Sequence, residues 1–220
     1  MKPRVTLVHG WAYDASVWQA VLQLLAELDA ELDVEIADLG YFGRPVLPVA
    51  CDTLRIAVGH SFGALWWLTV ADLPWHTLIA INAFPRFTAA PDFPAGVATR
   101  VLDRMRKRFA TQPDAVLKDF YEACDQAGPN RPLDQHALES GLENLANIDG
   151  RIALQQRLNS VHVLAAREDN IVNAAMSEAA FSGLPRGNVH WVEHGDHVLP
   201  LSQPQACADL IYAAVASSSK

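Results

Sequence analysis

A serine lies between two glycines in the stretch "AVGHSFGALWWL", residues 57–68, where a run of small apolar residues ends. Gly59 and Gly63 stand two positions before and two positions after Ser61. A serine hydroxyl becomes a useful nucleophile only when it is exposed, held in place and paired with a base. A sharp turn from strand to helix exposes a serine, and flanking glycines relieve the crowding of that turn. We therefore predict that Ser61 is a nucleophile; the alternative is a turn with a structural role only.

Two later strand ends supply candidates for the base and for the acid that orients it. Asp169 follows the apolar run "VHVLAA", and His197 follows "VHWVE". The chain order serine, acid, histidine matches one of the three common orders of such triads and neither of the other two. We predict that His197 is the base for Ser61 and that Asp169 is its partner.

Three neighbouring side chains are alternatives for these roles. Glu168 precedes Asp169, and His194 and Asp196 precede His197. We favour Asp169 because "NIV" after it leads directly into the next helix, and His197 because "VLPL" after it enters the last helix. A metal site on His194 and His197 is disfavoured, since neither their spacing nor an H-E-x-x-H frame supports it. We expect no metal and no organic cofactor.

The segment "LVHGWA" at the end of the first strand is a candidate oxyanion site. Acyl transfer generates an oxyanion that two backbone N–H groups stabilise, each contributing about 3–4 kcal/mol. The N–H of Phe62, which follows the serine, is one candidate donor. The N–H of Trp11 is the other, because Gly10 allows the backbone to bend and present it. The alternative is an ordinary glycine that ends a strand.

Short apolar runs alternate with helix-like segments along most of the chain. Near-continuous apolar strands are typical of a parallel sheet that is buried on both faces. We predict an α/β fold with a mostly parallel sheet of about six strands and helices on both faces. The candidate strands are residues 4–8, 33–37, 54–58, 77–82, 161–166 and 189–193.

Residues 87–150 interrupt this alternation, because they lack a convincing strand. "GVATRVLDRMRKRFA", "PDAVLKDFYEACDQ" and "DQHALESGLENLA" are three consecutive helix-like segments separated by Pro or Gly. We predict that 87–150 is a short helical cap inserted into a core made of 1–86 and 151–220. Ligands of open parallel sheets bind beyond the carboxyl ends of the strands, where such a cap would roof the site.

Composition excludes several classes of protein. The 220 residues are 50% hydrophobic and carry a formal net charge of −8, which disfavours general nucleic-acid binding. The odd number of cysteines, Cys51, Cys124 and Cys207, favours free thiols in a reducing compartment. We find no secretory signal and no apolar stretch of about 20 residues. We expect a cytoplasmic monomer without a membrane span, in which only the tail "ASSSK" has a composition typical of disorder.

A set of motifs distributed over nearly the whole chain resembles the α/β-hydrolases. The motifs are "LVHGWAYDASVW", "DLGYFGRP", "GHSFGA", "INAFPRF", "AREDNIV" and "HGDHVLPLSQP". Among these hydrolases, the chain is most similar to the biotin-synthesis esterases that cleave pimeloyl-[acyl-carrier protein] methyl ester. The resemblance implies a serine carboxylesterase with Ser61, Asp169 and His197 as its triad. It also implies an oxyanion hole at Trp11 and Phe62. The chain begins almost at its first strand, so the antiparallel hairpin common in the superfamily is expected to be missing.

The resemblance also implies an acyl-carrier-protein partner, and four aromatic side chains are candidates for an apolar acyl pocket. Members that bind the carrier protein do so through arginines on cap helices, and the helix-like "RVLDRMRKRF" offers arginines at four-residue spacing. An acidic partner fits such a face; the alternative is a solvated helix surface. Core packing is favoured for Trp66, which is one of four pocket candidates. The pocket candidates are Phe42, Trp66, Phe84 and Phe87, and the docking candidates are Arg100, Arg104 and Arg108, with Arg106 and Lys107 beside them.

Two further classes of function stay open from the sequence. The same triad serves thioesterases, amidases, perhydrolases and carbon–carbon bond hydrolases. A catalytically silent binding module on this fold is the alternative outside enzymes. Dehalogenases are disfavoured, because they need a carboxylate at the position of Ser61.

Overall fold

The computed structural model describes residues 2–218 of the chain. The tail "ASSSK", residues 216–220, lies partly within this range and partly outside it. Residues 216–218 close the last helix, contrary to the disorder expected of them, and 219–220 lie outside the described residues.

Six strands form one sheet in which every neighbouring pair is parallel. The order across the sheet is β2-β1-β3-β4-β5-β6. The chain therefore places β2 on one side of β1 and all later strands on the other side. The predicted α/β fold with about six parallel strands is confirmed. The strands are β1 Arg4–Val8, β2 Val34–Ala37, β3 Arg55–His60, β4 Thr77–Ile81, β5 Val161–Ala166 and β6 Val189–Val192.

Helices cover both faces of the sheet, which explains the near-continuous apolar strands. In β4, Leu78 and Ala80 pack into one apolar cluster, whereas Ile79 and Ile81 pack into the other. Side chains alternate across a strand, so both sets must be apolar when both faces are covered. The helices are α1 Gln19–Leu28, α2 Phe62–Thr69, α3 Thr99–Phe109, α4 Pro113–Cys124, α5 Gln135–Asn147, α6 Arg151–Gln155, α7 Ala174–Ala180, α8 Leu199–Ser202 and α9 Pro204–Ser218.

Local signals in the sequence set several helix ends. Pro113 occupies the first turn of α4, where its missing N–H costs no helical hydrogen bond. Asp125 ends α4 in the left-handed conformation, with φ of 52°. The carboxylate of Asp134 caps α5 by accepting from the N–H of Ala137 at 3.0 Å. The short helices α6 and α8 are too brief to leave a periodic pattern, and sequence analysis does not predict them.

Helices α3, α4 and α5 lie between β4 and β5 along the chain and contact one tryptophan. The ring of Trp11 makes edge contacts with Phe109 at the end of α3 and Phe120 in α4, at centroid distances of 6.1 and 4.9 Å. Its indole Nε1 donates to the carbonyl of Leu138 in α5 at 2.9 Å. These helices therefore pack against the loop that follows β1.

The three cysteines are free thiols, and Cys124 and Cys207 are buried. Over residues 2–218, no helix is both long enough and apolar enough to cross a membrane.

Candidate active site

Ser61 lies on a tight turn between β3 and α2, in a backbone conformation that is rare for any residue except glycine. Its φ is 53° and its ψ is −121°, a combination that costs about 1–3 kcal/mol and persists only where the surroundings enforce it. The N–H of Ser61 donates to the carbonyl of Ile81 at the end of β4, at 2.9 Å. The turn is therefore anchored to the neighbouring strand.

The glycines around Ser61 are required by close approach of backbone atoms. A Cβ on Gly59 would lie 2.2 Å from the backbone nitrogen of Ala64, and a Cβ on Gly63 would lie 2.3 Å from the carbonyl oxygen of Val8. Both distances are far below van der Waals contact, and the atoms met are backbone atoms that cannot move aside. Any side chain at either position would push the helix away from the sheet.

A hydrogen-bonded chain connects Ser61, His197 and Asp169. The Nε2 atom of His197 lies 3.0 Å from the Oγ of Ser61, and its Nδ1 lies 2.8 Å from the Oδ2 of Asp169. Ser61 is 6% exposed, His197 1% and Asp169 3%. The structure thus brings together the three side chains that the sequence places 136 and 28 positions apart. Such an arrangement can transfer a proton from serine to histidine while the carboxylate orients the imidazole.

The loop after β5 holds Asp169 in place through its backbone. The Oδ1 atom of Asp169 accepts from the N–H groups of Ile171 and Val172 at 2.7 and 2.8 Å. With Oδ2 bonded to His197, both oxygens act as acceptors, which suits an ionised carboxylate.

The alternative residues lie outside this chain of hydrogen bonds. Glu168 is exposed and pairs with the exposed His194 at 3.1 Å. Asp196 turns its carboxylate to the N–H of Val198 at 2.7 Å and to the amide of Gln126 at 2.6 Å. Neither Glu168 nor Asp196 is placed to orient His197.

The loop after β1 lies directly against the nucleophile. A Cβ on Gly10 would lie 3.0 Å from the Cβ of Ser61, so this backbone approaches the serine as closely as a glycine allows. Nδ1 of the buried His9 donates to the carbonyl of Gly10 at 2.9 Å, and its Nε2 accepts from the N–H of Leu39 at 2.9 Å. The Gly10–Trp11 peptide is trans, so the N–H of Trp11 points opposite to that carbonyl.

The two predicted oxyanion donors are both available. Phe62 is the first residue of α2, where an N–H has no partner in a preceding turn. Among the described residues, no hydrogen bond uses the N–H of Trp11 or of Phe62. Two free amides therefore lie on the residues next to Gly10 and Ser61, and either can meet a negative oxygen.

Two buried residues outside the predicted triad and oxyanion hole contact the loop carrying His197. The Nε2 atom of His60 donates to the carbonyl of His197 at 2.9 Å, and the amide of Asn82 donates to the same carbonyl at 3.0 Å. Burial lowers the pKa of His60 well below its usual value, with a further contribution from His197, so His60 is a neutral donor. A polar residue directly after the buried strand β4, in "INAFP", is the signal that identifies Asn82.

The aromatic candidates for the acyl pocket occupy separate places. Trp66 is buried in α2, with its ring 5.2 Å from that of Trp67. The rings of Phe84 and Phe87 contact each other at 4.8 Å. Phe42 lines a groove of about 670 Å³ that α4 and the loop after it also line. The pocket stays a prediction for all four residues.

The basic face of α3 is exposed, and part of its charge is neutralised. Arg100, Arg104 and Arg108 are all exposed. Arg108 pairs with Asp119 of α4, and Arg106 pairs with Glu143 of α5 at 2.7 Å. Over residues 2–218, neither Arg100 nor Arg104 forms an ion pair, and neither does the exposed Lys107 beside them. These three side chains carry the free charge of this surface.

Two solved structures share this fold over nearly the whole chain. A bromoperoxidase from Bacillus anthracis superposes with a TM-score of 0.78 at 17% identity, covering 97% of this chain and 91% of that one. An esterase from Exiguobacterium antarcticum gives the same TM-score, identity and coverage. At these identities the likeness shows the fold alone.

Curated relatives are more similar in sequence. The chain is 31% identical over 93% of its length to the "Biotin biosynthesis bifunctional protein BioHC" of Cellvibrio japonicus, and spans 46% of that longer protein. It is 29% identical to the "Pimeloyl-[acyl-carrier protein] methyl ester esterase" of Aromatoleum aromaticum, covering 96% of this chain and 97% of that one. The protein of the same name from Methylococcus capsulatus is 26% identical, with 98% and 96% covered. A family model matches residues 7–210, and the chain belongs to the alpha/beta hydrolase family.

Proposed function

We propose that this chain is a serine carboxylesterase that hydrolyses an acyl ester through an acyl-enzyme. One observation carries the proposal: the unbroken hydrogen-bonded chain from the Oγ of Ser61 through His197 to Asp169, beside two free backbone amides. The esterases among the curated relatives support the same reaction.

The first half of the reaction forms the acyl-enzyme. The Oγ of Ser61 attacks the ester carbonyl carbon while the Nε2 of His197 accepts the hydroxyl proton. The N–H groups of Trp11 and Phe62 donate to the oxygen that gains negative charge. The bond from carbon to the leaving oxygen then breaks, and His197 returns the proton to the departing alcohol.

The second half repeats these steps with water. His197 accepts a proton from a water molecule, whose oxygen attacks the acyl carbon, and the proton returns to Ser61 as the carboxylic acid leaves. Asp169 keeps its hydrogen bond to the Nδ1 of His197 and stabilises the charged imidazole.

Residues 87–150 act as the cap of this site. The helices of this cap pack against Trp11. Gln126, which follows α4, donates to Asp196 next to His197. Because Ser61 is only 6% exposed, the acyl chain enters between this cap and the core, along the aromatic residues Phe42, Phe84 and Phe87. Exclusion of water strengthens the electrostatic interactions in such a site.

We propose pimeloyl-[acyl-carrier protein] methyl ester as the substrate. The relatives from Methylococcus and Aromatoleum are named for this substrate, which supports the proposal. The carrier protein binds at α3, where Arg100 and Arg104 present free positive charge to an acidic partner. The free thiols support a cytoplasmic location, and we propose a monomer.

A serine-reactive phosphonate tests the reaction. We expect it to label the wild type on Ser61, and we expect nitrophenyl esters to be hydrolysed. Ser61→Ala should abolish both the labelling and the ester hydrolysis. Ser16→Ala, in the turn before α1, should leave both unchanged. An unlabelled wild type that hydrolyses no ester would identify a silent binding module, and faster cleavage of thioesters than of esters would identify a thioesterase.

Charge reversal on α3 tests the carrier-protein partner. Arg100→Glu with Arg104→Glu should lower kcat/KM for the carrier-linked methyl ester about tenfold or more, since docking charges act mainly on the rate of encounter. Hydrolysis of nitrophenyl acetate should be unchanged. Arg108→Glu is the matched control within the same face, because Asp119 already neutralises Arg108, and we expect a smaller effect. Equal loss on both substrates would refute docking at this face.

A further inference from the structure

Asn82 lies directly after β4, is fully buried and has a backbone φ of 42°. Asparagine is one of the few residues that adopt this left-handed region at low cost. Its backbone N–H donates to the carbonyl of Leu164 in β5 at 2.8 Å. The proposed reaction assigns no step to Asn82.

The side chain of Asn82 connects the loops that carry the base and the acid. Its Oδ1 accepts from the N–H of Ala166, the last residue of β5, at 2.8 Å. Its Nδ2 donates to the carbonyls of Asp196 at 2.8 Å and His197 at 3.0 Å. The amide orientation is determined, because an N–H group faces Oδ1 and two carbonyls face Nδ2.

We propose that Asn82 is a positioning residue that holds His197 in line with Ser61 and Asp169. This inference rests on the proposed function. Ala166 ends the strand three residues before Asp169, so one amide sets the distance between the backbones of the two loops. A misplacement of about 1 Å at a reacting group can lower a rate about 100-fold. His60 supplies the second donor to the carbonyl of His197, but its Nδ1 has no hydrogen-bond partner among the described residues, so it does not join the two loops as Asn82 does.

Two variants separate this role from a general effect on folding. Asn82→Gly removes the amide, and glycine adopts positive φ without strain. Asn82→Asp keeps the size and the backbone preference, but a carboxylate only accepts hydrogen bonds and repels the two carbonyls. Asn188→Ala is the matched control: the amide of Asn188 donates at 2.9 Å to the carbonyl of Val161, at the opposite end of β5.

The experiment measures kcat and KM for nitrophenyl acetate, and the proton NMR signal of the Nδ1–H of His197. We expect both Asn82 variants to lower kcat about 10- to 100-fold with KM changed less than about twofold. The Nδ1–H signal should broaden beyond detection, because the hydrogen bond to Asp169 loosens. Asn188→Ala should keep the wild-type kcat and the wild-type signal, even where it lowers the denaturation midpoint.

A kcat within twofold of wild type, together with an unchanged Nδ1–H signal in a folded Asn82 variant, would overturn the inference. If Asn82→Gly does not fold, Asn82→Asp alone provides the test. A wild type that is neither labelled by the phosphonate nor active on esters would refute the proposed function instead. Even in that case, comparing the Nδ1–H signal of His197 between the wild type and the Asn82 variants would still decide whether Asn82 positions His197.

Discussion

Two adjacent carboxylates have opposite environments at the residue scale. Asp169 is buried and its oxygens accept three hydrogen bonds, two from backbone N–H groups and one from His197. Glu168 extends into solvent and pairs with exposed His194, an interaction of at most about 1 kcal/mol. The difference arises in the turn after β5, where the backbone N–H groups of Ile171 and Val172 hold Asp169 beside His197 and Glu168 has no such partners among the described residues.

Replacing these carboxylates by amides should separate their roles. Asp169→Asn should lower kcat about 10³- to 10⁴-fold, because an amide that donates to Nδ1 holds His197 in the tautomer that cannot accept the serine proton. Glu168→Gln should change kcat less than about twofold. Steady-state hydrolysis of nitrophenyl acetate measures both variants, and an equal loss in Glu168→Gln would disprove the assignment of the acid.

A glycine decides the packing of α5 at the scale of elements. Gly141 lies in the middle of this helix, where glycine is about 1 kcal/mol less favourable than alanine. A Cβ at this position would lie 2.5 Å from the Cδ1 of Trp11 and 2.9 Å from the Oη of Tyr41. The Trp11 ring cannot move aside easily, because Phe109 and Phe120 pack against it. The close approach therefore outweighs the gain in helix propensity.

We expect Gly141→Ala to lower the free energy of unfolding by up to about 2 kcal/mol, the cost of overpacking less the gain in helix propensity. Ser140→Ala on the same helix is the control and should change it by less than about 0.5 kcal/mol, because Ser140 lines a surface groove. Denaturant midpoints of the three proteins measure this. A Gly141→Ala protein more stable than wild type would show that the Gly141 position of α5 does not pack closely against Trp11.

Two histidines, the buried His60 and the half-buried His162, make the stability of the whole molecule depend on pH. Burial lowers the pKa of His60 well below its usual value, with a further contribution from His197, and burial also lowers that of His162 beside His190. In the unfolded chain each imidazole takes up a proton near pH 6.5. As the pH falls through this value, the unfolded state binds protons that the folded state does not. Stability therefore falls with pH, by up to about 1.4 kcal/mol per unit for each histidine.

The variant His60→Gln isolates the contribution of His60. Glutamine does not titrate, and its amide can still donate to the carbonyl of His197. Between pH 7.5 and 5, the wild type should lose up to about 2 kcal/mol more stability than the variant. Denaturant unfolding at several pH values measures the difference. His162 contributes equally to both proteins, so parallel curves would contradict a buried neutral His60.

The sequence alone determined the strand positions, the type of fold and the neighbourhood of Ser61. These features are local: an apolar run long enough for a strand, or glycines two positions from a serine, is visible in a short window of the chain. The chain order of Ser61, Asp169 and His197 added a long-range prediction, because all three follow strands whose carboxyl ends meet at one edge of a parallel sheet. The short helices α6 and α8 left no such pattern.

Only the tertiary structure decided which neighbouring polar groups meet. Asn82 contacts Asp196 across 114 positions. Its place directly after a buried strand is visible in the sequence, but the groups that its amide bonds are not. The pairing of Arg108 with Asp119 likewise depends on how α3 packs against α4, whereas Arg100 and Arg104 have no such partner among the described residues. Periodicity specifies the face of a helix or strand, but the partner of a polar side chain depends on packing distances of a few ångströms between distant segments.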